Sequence, residues 1–186
     1  MNLNAGLALL GILALALIAY FLFTRKTKAA IWASLHDAPF PKETEHDPLY
    51  TSPAALRQAF YELYEVADPA WWDDNVQVRI DPAYDGAAGS SNDIVRINPA
   101  YARPCIIAHE FCHSIYSKLG AGRQRRFGVL LPGVVARNPL IEAAVRDYGN
   151  ALNWKDVVAW EAHAQIYRFF GRHMPRELYE FYPHLV

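Results

Sequence analysis

The sequence predicts an α+β domain behind an N-terminal transmembrane helix, and three observations carry that expectation. From Leu3 to Phe23 the chain runs without a charged residue. Beyond residue 53, stretches with apolar residues at helical spacing alternate with short period-2 runs, the mark of mixed helices and strands. The apolar share is 53%, with 13% aromatic residues, enough surface to offset the entropy of ordering a core. The domains expected are an anchor over 1–23, a basic juxtamembrane segment with a Pro-rich linker over 24–52, and a folded domain over 53–186.

Charge and cysteine content remove several function classes. Lys plus Arg total 18 and Asp plus Glu 19. No basic cluster exceeds Arg123, Arg125 and Arg126, too little to neutralise a phosphate backbone, so no nucleic-acid partner is expected. Two cysteines cannot staple a domain of this length. On one helix, Cys105 and Cys112 would stand about 10.5 Å apart, beyond disulfide reach, and they read as small buried residues.

The elements follow in order. As a helix, Leu3–Phe23 would span about 31 Å, the thickness of a bilayer core, and no basic residue precedes it as a cleaved signal peptide would require. Arg25, Lys26 and Lys28 follow it directly, so the carboxyl side is expected to face the cytoplasm. The stretch His36–Pro53 lacks periodicity and suits a semi-rigid linker, with His36 and His46 solvated. Ser52-Pro53 is an N-cap followed by proline at the first helical position, and Leu56, Phe60, Leu63, Tyr64 and Ala67 form a stripe up to a stop at Asp68-Pro69. Val76, Val78 and Ile80, then Ile94, Val95 and Ile97, predict two short strands joined by a turn-rich loop over 81–93. Arg103-Pro104 opens a further helix that Gly120 should end. Gly122–Gly133 reads as a loop that packs its leucines into the domain, the alternative being contact of its three arginines with the anionic inner leaflet.

That helix carries His109-Glu110-Phe111-Cys112-His113, an H-E-x-x-H motif. Residues four apart share a helix face, so two imidazoles can approach one metal ion from one side. Glu110 is rotated about 100° from His109, which places a carboxylate beside the metal as a base for bound water. A metal that acts in catalysis takes three protein ligands and keeps one position open, so a third ligand is required.

With this motif on a helix that follows a strand, the chain resembles the zincin metallopeptidases, whose core sets an antiparallel edge strand before the H-E-x-x-H helix. The resemblance implies a small zincin-like domain with a short antiparallel sheet, a Zn2+ cofactor and peptide-bond hydrolysis. No histidine follows at metzincin spacing after His113, which points to the gluzincin branch, where a later glutamate completes the site. Glu161, at the edge of the apolar stripe of Trp154–Phe170, is the first candidate, because a carboxylate there is costly unless paired or bound to metal. Glu142 is the rival, with His163, His173 and Asp147 behind it. Glu161-Ala162-His163-Ala164, the paired Phe169-Phe170, Met174-Pro175 and Leu178-Tyr179 are similar to the carboxyl-terminal pattern of the Mlc titration factor peptidase family, which favours Glu161. Many gluzincins carry an aspartate four residues after the ligand glutamate; Gln165 stands there in this chain.

The expected function is therefore a membrane-anchored zinc peptidase: His109, His113 and Glu161 hold the metal, and Glu110 activates the bound water. Its substrate would be a peptide or protein near the membrane. Tyr148, His163, Tyr167 and His173 are the candidate oxyanion donors, and Ile94–Ile97 is the expected edge for an extended substrate. The alternative is a membrane-tethered binding protein with the same fold and no hydrolysis.

Overall fold

The computed structural model describes residues 48–151 and 153–186, which belong to a single compact unit. The expected transmembrane helix Leu3–Phe23, its basic flank and the linker residues through 47, with His36 and His46, lie outside the described residues. Among the described residues, no single helix is long and apolar enough to cross a membrane.

Helix α1 spans Pro53–Tyr64, and the Ser52 hydroxyl accepts from the Ala55 N–H at 3.4 Å. Its buried face is Leu56, Phe60, Tyr61 and Tyr64; Leu63, expected in the stripe, turns outward. The Asp68-Pro69 pair not only stops this helix but starts α2, Pro69–Asn75, whose N-cap Asp68 accepts from the Trp71 N–H at 3.1 Å. Trp72 of α2 is fully buried and stacks on Phe111 with ring centroids 4.5 Å apart.

Three strands follow: β1 Gln77–Ile80, β2 Ala88–Ser91 and β3 Ile94–Ile97. Their order is β1-β3-β2, with β1 parallel and β2 antiparallel to β3. Two expectations are corrected. The sheet is mixed rather than antiparallel, and Ile94–Ile97 is its central strand, so it has no free edge to offer a substrate. The edge strands are β1 and β2, and β2 lies inside the stretch read as a loop. Ala-Gly-Ser-Ser shows no apolar alternation. It is a strand because a two-residue turn, Asn92 (φ 48°) and Asp93 (φ 60°), folds it back on β3 in the register Ser91 to Ile94. Positive φ at both central residues is the type I′ requirement, and Asn and Asp tolerate it best after glycine.

Helix α3 spans Pro104–Lys118 and ends as expected before Gly120, whose φ of 75° breaks the chain's direction. Helix α4, Gly120–Arg137, replaces the expected loop. Phe127, Leu131, Val134 and Val135 are buried along one side of it, and this burial outweighs the glycines and Pro132. Helix α5 covers Pro139–Asp147, and 3-10 turns at Tyr148–Asn150 and Trp154–Asp156 lead to α6, Ala159–Phe170. The expected helix from Trp154 is thus interrupted. Val158 is extended (ψ 148°) and 53% exposed, outside the stripe.

Helices α3 and α6 are buried on nearly every side and pack most extensively on each other. Cys105 and Cys112 are buried on α3 and not joined in a disulfide, and burial pushes the Cys112 thiol well above its usual range. Behind α6, the chain closes with the 3-10 turns Gly171–His173 and Arg176–Phe181.

The carboxyl end is tied to the start of α2. The carbonyl of His184 accepts from the Asp68 N–H at 3.2 Å and from Trp72 Nε1 at 3.1 Å, and His184 Nδ1 lies 3.1 Å from the Asp68 carboxylate. Hydrogen bonds from His184 and from the Trp71 N–H hold the Asp68 carboxyl below its ordinary value. A depressed carboxyl stabilises the fold above the unfolded value of about 3.9 and loses that effect as pH falls through the folded value. Asp68→Asn keeps a good N-cap and removes only the charge. Its urea midpoint is expected below wild type at pH 7, with the gap narrowing as pH falls below about 4; a gap independent of pH would rule out this linkage.

Candidate metal centre

Two buried helices meet at their polar residues. His109 and His113 stand one turn apart on α3, and Glu161 comes from the first turn of α6. The Nε2 atoms of His109 and His113 are 3.0 Å apart, and Oε2 of Glu161 lies 3.2 Å from the first and 3.6 Å from the second. Three ligands at 2.0–2.1 Å from a tetrahedral ion would be spaced by roughly 3.3–3.4 Å, and these edges bracket that value. A shared proton could account for the imidazole pair alone. It leaves Oε2 of Glu161 buried without a hydrogen bond although it faces both rings. His109, His113 and Glu161 are thus a group that could hold a metal ion.

The surrounding charges follow from burial. Burial lowers the His113 imidazole to about 4, with the neighbouring His109 adding to the shift and Glu161 opposing it. Burial would raise Glu161, but the two imidazoles and a hydrogen bond from the Tyr148 hydroxyl outweigh it and hold the carboxyl below its ordinary range. Glu110, 6% exposed, is pushed up to about 7 by burial, with Glu161 adding to the rise and His109 and a Ser90 hydrogen bond opposing it.

No family model, no curated protein and no solved structure matches this chain. The site therefore rests on its own geometry.

That geometry sorts the sequence candidates. Glu142, the rival ligand, points outward from α5 and lies 3.7 Å from Arg146 on the next turn. His163 is fully buried on the far side of α6, stacked on Tyr182 at 4.0 Å, with Nε2 2.8 Å from the Phe181 carbonyl. Tyr167 donates to the Leu185 carbonyl, also behind α6. His173 and Asp147 do not line the cleft over the three donors. Of the four oxyanion candidates only Tyr148 does so.

The cleft has a volume of about 740 Å³ and runs between β2 and the start of α6. Ser90 on the edge strand and Trp160, 45% exposed beside Glu161, are among the lining residues that the sequence did not single out. Ser90 hydrogen-bonds to Glu110, and the Trp160 ring lies 4.5 Å from that of His113. Neither had a sequence signal, since both roles depend on how α6 and β2 lie against α3. The Nδ1 atoms of His109 and His113 are buried without a hydrogen-bond partner. Metal-binding histidines usually donate through that nitrogen, and losing such support typically weakens affinity 10–100-fold.

Proposed function

We propose that the protein is a membrane-anchored, zinc-dependent peptidase of the zincin type, its anchor being the apolar stretch Leu3–Phe23. The observation that carries the reading is the convergence of His109, His113 and Glu161 donor atoms within 3.0–3.6 Å of one another, with the buried Oε2 of Glu161 facing both rings. A zinc ion bound there supplies a Lewis acid for the scissile carbonyl and makes water a nucleophile near neutral pH. The rest falls to the protein. Glu110, on α3 between the two histidines and lining the cleft, takes the proton from the attacking water and returns it to the leaving amine. Tyr148, whose hydroxyl donates to Glu161, is the candidate donor lining the cleft, and turning that hydroxyl towards the substrate carbonyl would stabilise the developing oxyanion.

The edge strand supports the same reading. In the β2–β3 ladder the Asn98 N–H donates to the Ala87 carbonyl, so by alternation Ser90 directs its backbone N–H and carbonyl away from β3. A substrate in extended form can add to that edge beside Glu110.

The test is zinc content and hydrolysis measured together on purified full-length protein. About one zinc per chain after dialysis against metal-free buffer, with cleavage of quenched fluorogenic peptides that a chelator abolishes, is the expected result. A folded protein that neither retains nor takes up zinc would refute the peptidase. The unsupported Nδ1 atoms favour one second reading, a tethered binding protein without turnover, and zinc retention with no cleavage of any peptide is its signature.

A further inference from the structure

Both metal-facing imidazoles are flanked by exposed aromatic rings. Tyr148 lies nearly parallel to His109 with centroids 6.3 Å apart, and Trp160 is tilted against His113 at 4.5 Å. Tyr148 is committed through its hydroxyl to Glu161. Trp160 remains 45% exposed at the cleft, next in sequence to Glu161. The other lining groups leave little else for recognition. Ser90, Ser91, Ser114 and Ser117 are small, and Lys118 is neutralised by Asp93 at 2.8 Å. Neither wall therefore offers an uncommitted charge to a charged side chain. A peptide added to β2 alternates its side chains between two faces, so one in two can turn towards the α6 wall.

We propose that Trp160 determines specificity by packing against a large apolar side chain next to the scissile bond, so that the substrates are peptides with an aromatic or bulky aliphatic residue at that position. The inference rests on the peptidase reading above. An exposed indole gains from contact with such a side chain both by area removed from water and by ring-on-ring packing. A hydrophobic subsite of this kind discriminates over about 10–200-fold.

The experiment uses zinc-loaded full-length protein and a series of fluorogenic peptides, blocked at both ends, in which the residue on either side of the scissile bond is varied among Phe, Leu, Ala and Glu. At one of the two positions, kcat/KM is expected to be about tenfold or more higher for Phe and Leu than for Ala and Glu. Trp160→Ala should reduce the Phe-to-Ala ratio to about twofold, and Trp160→Phe, which keeps a ring against His113, should hold it above about fivefold. Hydrolysis with an unchanged ratio in Trp160→Ala would overturn the role of Trp160 and leave the peptidase standing. No cleavage of any peptide by the wild type would overturn the peptidase, and this proposal with it.

Discussion

Glu161→Ala is expected to reduce zinc from about one per chain to a trace in dialysed protein. Structural zinc sites are worth about 10–16 kcal/mol in all, so one of four positions carries roughly 2.5–4 kcal/mol, about 60- to 700-fold in affinity. The loss should be steep because the carboxylate is 3% exposed, aimed at both imidazoles and free of any other bond at Oε2. Glu142→Ala is the matched control. Its side chain is 42% exposed, and its contact with Arg146 is a pair one turn apart, worth about 0.3–0.5 kcal/mol. Elemental analysis of the two variants side by side decides the matter. Equal zinc in both would exclude Glu161 as a ligand.

Glu110→Gln is expected to keep zinc and lose turnover by about 10²–10⁴-fold, the usual weight of general acid–base catalysis. The amide matches the carboxylate in shape and can still meet Ser90, so the packing of α3 should survive. It cannot accept the proton. Hydrolysis within tenfold of wild type, at equal zinc content, would remove Glu110 from the chemistry.

What the sequence made legible was whatever local spacing controls. The H-E-x-x-H helix was readable because a four-residue interval on a helix fixes one face wherever the helix goes. Glu161 was readable because a carboxylate beside an apolar stripe needs a partner. The sheet was read poorly for the opposite reason. Nothing local in Ala88-Gly89-Ser90-Ser91 marks a strand, and nothing in Gln77–Ile80 says that it pairs in parallel with Ile94–Ile97; both depend on partners. Helix α4 was hidden by glycines and a proline whose cost is outweighed only when Phe127 and Leu131 reach the core. Trp160 was invisible as a cleft residue because its exposure depends on the extended Val158 that sets where α6 begins.

The layer behind α6 also sets an order of events during synthesis. His163 bonds to the Phe181 carbonyl, Tyr182 donates to the His163 carbonyl, and Tyr167 reaches Leu185. The helix that carries Glu161 is therefore braced by residues translated after it. At about 5–20 residues per second, a nascent chain exposes His109 and His113 seconds before that brace exists. During this interval it holds a two-histidine half-site. The third donor is secured only after residues 181–185 have been made, so the candidate metal site closes after the helix that carries its two histidines.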